Sequence, residues 1–67
     1  MSQRQRLLNW MLAGGRVTRL SAVNDFGIFE LSARMGEIEQ THTVSRKKIK
    51  VMTRHSGLVP VMEYWIE

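Results

Sequence analysis

Leu7, Leu8, Met11 and Leu12 recur at the i, i+1, i+4, i+5 spacing of one helical face and predict a helix over residues 3–13. Ser2, followed three residues later by Gln5, fits a capping box in which each side chain satisfies the other residue's free backbone N–H. Gly14 and Gly15 end the helix, and Trp10 lies at the edge of its apolar stripe. Thr18 is the N-cap expected for a short second helix over residues 19–26, with Ala22, Val23 and Phe26 turned inward and Leu20 against the first helix. Gly27 suits the left-handed position of a tight turn because it has no Cβ to clash. A third helix is expected over residues 28–40, with Leu31, Met35 and Ile38 on its core face at i, i+4, i+7.

After Thr41 the pattern changes. "THTVSRKKIKVMT" and "LVPVMEYWI" are rich in β-branched and aromatic residues and are separated by "RHSG", which predicts a hairpin with strands over residues 44–52 and 58–66. Alternation in the first strand is imperfect: Ile49 and Val51 share one face while Val44 falls on the other, so a bulge near Arg46 or Lys47 is expected. Pro60 has no N–H for a ladder, and its strand should be free on one side there. The expected fold is therefore α+β, a three-helix helix-turn-helix core with a C-terminal two-stranded β-hairpin wing, formed by residues 1–67 as one winged-helix domain. The expected core is Leu7, Met11, Phe26, Leu31, Met35, Ile38 and Ile66.

Composition sharpens this picture at three points. A chain of 67 residues is near the lower limit for burying a self-sufficient core, and with no cysteine it has neither a disulfide nor a thiolate metal site to help. An apolar content of 43% offsets the size. The start, "MSQRQRLLNWMLAGG", has a basic beginning and a short apolar run, but Asn9 interrupts it, so an amphipathic helix is expected rather than a signal peptide. No segment reaches the length of a membrane span, and the bacterial host cytoplasm is the expected location.

Charge is the third point. A net charge of +4 and a pI near 10.4 point to a polyanionic partner. The cations are concentrated: Arg46, Lys47, Lys48, Lys50 and Arg54 lie between Thr41 and Gly57 with no acid among them. The segment from Asp25 to Gln40 holds four acids and only Arg34. Catalysis is not expected, since His42 and His55 have no ligand or acid–base spacing, the acids are scattered, and "AGGR" lacks the Lys and Ser/Thr of a phosphate loop. No cofactor and no metal are expected.

"RVTRLSAVNDFGIFELSARMGEIE", with "RHSG" and "EYWI", resembles the small helix-turn-helix, winged-helix domain family of phage and prophage proteins. The residues that carry the resemblance are Val17 and Thr18, Phe26 and Gly27, and Leu31, Ala33, Arg34 and Met35, within a similarity over about residues 7–66. It implies a winged-helix DNA-binding protein of phage origin that acts as a regulator or architectural factor. The chain departs from the family pattern at Gly36 and at Glu37-Ile38-Glu39-Gln40, which make the end of the third helix flexible and acidic.

Double-stranded DNA is thus the expected partner, with transcription regulation by occlusion or bending as the expected action. Phe29, Glu30, Ala33, Arg34 and Glu37 of the third helix would face the major groove, where Gln40 offers contacts to adenine, the carboxylates to cytosine and Ala33 or Phe29 to a thymine methyl. Thr18 and Arg19 would meet a phosphate at the start of the second helix. Arg46, Lys47, Lys48 and Lys50 would form the basic footprint, with Arg54 and His55 at the wing tip. One module has little area for specificity, so a homodimer or a cooperative array is expected. The alternative is a phage-encoded module that binds a host protein, which the acidic third helix favours. Lysines on "RKKIK" also have a plain structural use, the protection of an edge strand, and Trp10 and Trp65 read as core residues.

Overall fold

A computed structural model describes residues 2–67. The elements are α1 (Gln3–Leu12), β1 (Val17–Thr18), α2 (Arg19–Ser21), which runs on as a π-helical turn (Ala22–Phe26), α3 (Leu31–Glu39), β2 (Val44–Thr53) and β3 (Gly57–Ile66). Three helical segments followed by an antiparallel hairpin match the expected fold.

The helix ends have local causes. Ser2 accepts a hydrogen bond from the Gln5 backbone N–H, but the Gln5 side chain turns down the helix to Asn9, so only half of the expected capping box forms. At Thr18 the box is complete: the Ser21 N–H donates to the Thr18 hydroxyl, and the Thr18 N–H donates to the Ser21 hydroxyl. Helix α1 ends at Ala13, after which Gly14 takes a φ of 95°. Gly15 lies under the Trp10 indole, and an added Cβ would overlap the ring. Trp10 Nε1 meanwhile donates to the Arg16 carbonyl at 3.1 Å. Gly15→Ala should therefore push the indole off the chain and break that bond, at a cost of about 1 kcal/mol. The check is a red shift of tryptophan emission with a lowered melting temperature; unchanged emission would contradict it.

Gly27 closes the π-helical turn with a φ of 67°, and its N–H reaches the carbonyls of Ala22 and Val23. Gln3 Nε2 holds the Gly27 carbonyl from α1 at 3.0 Å. Gly27→Val puts a branched Cβ into the left-handed region, which costs at least about 1–2 kcal/mol. That should lower the thermal midpoint by roughly 4–8 °C per kcal/mol in a domain of this size. A parental melting temperature would show that the turn does not depend on this conformation.

Leu7, Met11, Val17, Ala22, Ile28, Leu31, Met35 and Ile38 form one buried cluster, with Leu8, Phe26, Val44, Tyr64 and Ile66 packed against it. The seven residues of the expected core set are all in or against this cluster, but Trp10, also expected in the core, is 49% exposed and lies against Gly15 instead. Leu12, Leu20 and Val23, expected to face inward, are exposed. The first helix presents a stripe only two residues wide to the core, and the π-helical turn after α2 brings Ala22 and Phe26 inward but not Val23.

Two differences concern the helix-turn-helix joint and the hairpin. Helix α3 begins at Leu31, so Phe29 and Glu30 precede it instead of lying on it, while Ile28 is buried in the turn. The turn needs these residues because Gly27 reverses the chain before Ile28 anchors it.

The hairpin has no bulge. Its ladder runs unbroken from Val44↔Ile66 to Thr53↔Gly57. Opposed residues share a face, so Val44, Tyr64 and Ile66 lie on the side packed against the helices. Ile49↔Val61 and Val51↔Val59 lie on the opposite side. The apolar side changes face halfway along the ribbon, which explains the broken alternation without an inserted residue.

β1 adds a short third strand, with sheet order β1-β3-β2 and pairs Val17↔Tyr64 and Thr18↔Glu63. It covers β3 only at those residues, so Pro60 pairs with Lys50 on one side and has no strand on the other.

Candidate nucleic-acid interface

The side chains expected to meet DNA divide into three groups according to where the backbone places them. On α3, Leu31, Met35 and Ile38 are buried, which turns Ser32, Ala33, Gly36 and Gln40 outward. These are exposed, and none is charged. Arg34 and Glu37 flank that face as an i, i+3 ion pair, Nε to Oε1 at 3.2 Å. The two meeting atoms are shielded from water and lack hydrogen-bond geometry.

Each acid of this region has a structural reason to be there. Glu30 stands at the N-terminus of α3, where a carboxylate complements the helix dipole. Glu37 pairs with Arg34, and Glu39 pairs with Arg46 of β2. Arg46 also lies 5.3 Å from the centroid of the Tyr64 ring, so it ties the end of α3 to the hairpin. The acidity of the third helix is thus largely compensated within the fold.

The hairpin cations do not act as one group. In the unbroken ladder Arg46, Lys48 and Lys50 point to the helix side, whereas Lys47 points to the other, opposite Glu63. Glu63 is itself held by Arg16 at 3.1 Å, and Arg16 lies 4.3 Å from the Trp65 ring centroid. Lys47 therefore belongs to an outer face with mixed charge. Lys48, by contrast, lines a hollow with Arg19, Pro60, Met62 and Tyr64. Among the described residues Lys48, Lys50 and Arg19 form no ion pair.

The third group is the tip. Arg54, His55 and Ser56 form a three-residue loop closed by Gly57 at a φ of 66°, the left-handed residue such a loop requires. The Thr53 hydroxyl accepts from the Ser56 N–H and donates to the Gly57 carbonyl. A braced loop presents Arg54 and His55 at the far end of the ribbon.

Two sequence expectations change. The Thr18 hydroxyl and N–H are both engaged with Ser21, so Thr18 is a cap and Arg19 alone of that pair reaches the hairpin hollow. Phe29 is 82% exposed and sits off the helix, beside Gln3, Ile28, Glu30 and Arg34, not on the face of Ala33. Sequence reasoning also missed Met52 and Leu58, which are 73% and 60% exposed and lie opposite each other near the tip. The signal was present in the register: residues an even number apart on one strand share a face with Lys48 and Lys50.

Among the described residues no cluster of His, Cys, Asp or Glu is arranged to hold a metal ion, and no helix is long and apolar enough to cross a membrane. Comparison with curated proteins and with solved structures finds no significant match. The family model for the winged helix-turn-helix domain matches residues 2–67, and with three helical segments, a glycine-turned joint and a C-terminal hairpin the chain belongs to that family.

Proposed function

We propose that this protein binds double-stranded DNA through Arg19 and the helix-facing side of the hairpin and acts by occluding or bending its site, as a phage or prophage transcription regulator or architectural factor in a bacterial cytoplasm. The observation that carries this reading is the separation of charge. Among the described residues Lys48, Lys50 and Arg19 form no ion pair and share one side of the fold, and Arg54 stands in the loop at the tip, while Glu37 and Glu39 are held by Arg34 and Arg46. A phosphate backbone approaching those cations meets Glu37 and Glu39 already compensated.

One module offers less area than specific sites usually bury, so two copies on adjacent sites supply the remainder. No step of this action requires a cofactor or a catalytic group. The second reading, a host-protein partner, draws on Phe29, whose ring is exposed beside Arg34 and Glu30.

The test is binding to random duplex DNA across a salt series. Each phosphate contact contributes a log-log slope of about −0.9, so Arg19, Lys48, Lys50 and Arg54 together give about −3.6. Binding that is absent at low salt, together with a host protein retained by the parent and lost with Phe29→Ala, would replace the DNA reading with the second one.

A further inference from the structure

Met52 and Leu58 have no place in a surface built only for phosphate. They are a directly opposed pair, 73% and 60% exposed, and they share the helix-facing side of the ribbon with Lys48↔Met62 and Lys50↔Pro60. On that side β2 supplies Lys48, Lys50 and Met52, and β3 supplies Leu58, Pro60 and Met62. One long edge of the ribbon is therefore mainly cationic, and the other is wholly apolar.

We infer that the outer half of the hairpin enters the DNA major groove as a two-stranded ribbon and packs Met52 and Leu58 against thymine methyl groups, so that the hairpin and not α3 selects sequence. This rests on the DNA reading and gives that reading its specificity-determining residues.

The fit is both chemical and geometric. Paired strands stand about 4.8 Å apart, and a ribbon of two is admitted by a major groove about 12 Å wide. The thymine methyl is the apolar group on that groove's floor, and the minor groove offers no counterpart. With Lys48 and Lys50 of β2 toward one phosphate wall, both reach the backbone while Met52 and Leu58, at the outer end of the ribbon, face the bases. Lysines beside the apolar pair also oppose its burial against a second copy of the same ribbon. Helix α3 is the weaker candidate, because its outward residues Ser32, Ala33 and Gly36 are short, and its one arginine is engaged with Glu37.

The experiment compares an alternating adenine–thymine duplex with the same duplex carrying uracil in place of thymine, a change that deletes only the methyl groups. The wild-type protein is expected to prefer thymine by about fourfold for each methyl it buries. The Met52→Ser, Leu58→Ser double variant should lose that ratio yet keep the salt slope, with circular dichroism confirming its fold; the Leu58→Ser single variant should retain part of it. Using the same duplex pair for every variant cancels any effect of uracil on the stiffness of the DNA.

Salt-dependent binding with no thymine preference overturns the assignment but leaves DNA binding intact. A preference that survives the double variant, or that disappears in Ala33→Ser instead, returns sequence selection to α3. Absence of salt-dependent binding to either duplex removes the DNA reading and this inference together.

Discussion

Leu7→Ala should lower the stability of this protein by about 2 to 5 kcal/mol, through lost transfer energy and the cavity left behind. Leu7 is fully buried, and it joins the cluster in which Met11, Val17, Ala22, Ile28, Leu31, Met35 and Ile38 converge. A short chain buries a smaller fraction of its surface than a long one, so its net stability falls toward the low end of the usual ~5–15 kcal/mol. The loss can then approach the whole. Leu12→Ala provides the contrast, because Leu12 belongs to the same sequence stripe but is 54% exposed. Its effect should stay within about 0.5 kcal/mol. Urea denaturation of both variants decides the matter: equal shifts in midpoint would mean that α1 docks through another face.

That pair of leucines also marks how far a hydrophobic pattern can be read. The spacing of Leu7, Leu8, Met11 and Leu12 located the helix and its general face. It could not set the width of the contact, which depends on what packs opposite, and here the opposing surface reaches only Leu7 and Met11 fully. Helix α3 was more legible because Leu31, Met35 and Ile38 sit closely on one line. The joint was legible at Gly27, where the left-handed backbone leaves few alternatives to glycine, but not at its exit. Ile28 looks like the first residue of a helix when it is in fact the buried anchor before one.

β1 is not legible in the sequence for a different reason. Two residues carry no periodicity, and the pairing of Val17 with Tyr64 is a tertiary event. The hairpin strands are legible from their composition, and so is the split of Ile49 and Val51 from Val44, but its cause is not a bulge. A single slip or bulge exchanges all the side chains beyond it, and only the observed register shows that the ribbon runs straight while its apolar side changes. The charged site suffered from the same ambiguity: "RKKIK" announces a basic footprint, and only the ladder separates Lys48 and Lys50 from Lys47.

That separation leads to the largest expected effect on binding. If Lys48 and Lys50 each neutralise a phosphate, the Lys48→Ala, Lys50→Ala double variant should reduce the salt slope by about 1.8, from about −3.6 to about −1.8, since each contact contributes about 0.9. Lys47→Ala should leave the slope unchanged, because Lys47 lies on the opposite face beside Glu63 and Arg16. Lysine has the same charge and reach at all three positions, so any difference between the variants reports orientation rather than net charge. The substitutions are at exposed positions of the ribbon, where changes in stability usually remain within about 0.5 kcal/mol, and thermal melts can confirm that a lost contact is not a lost fold. A uniform response, with Lys47→Ala reducing the slope by as much per residue as the double variant, would mean that DNA follows the whole circumference of the ribbon. An unchanged slope in both would move the phosphate contacts off β2 altogether, toward Arg19, Arg54 and the exposed arginines of α1.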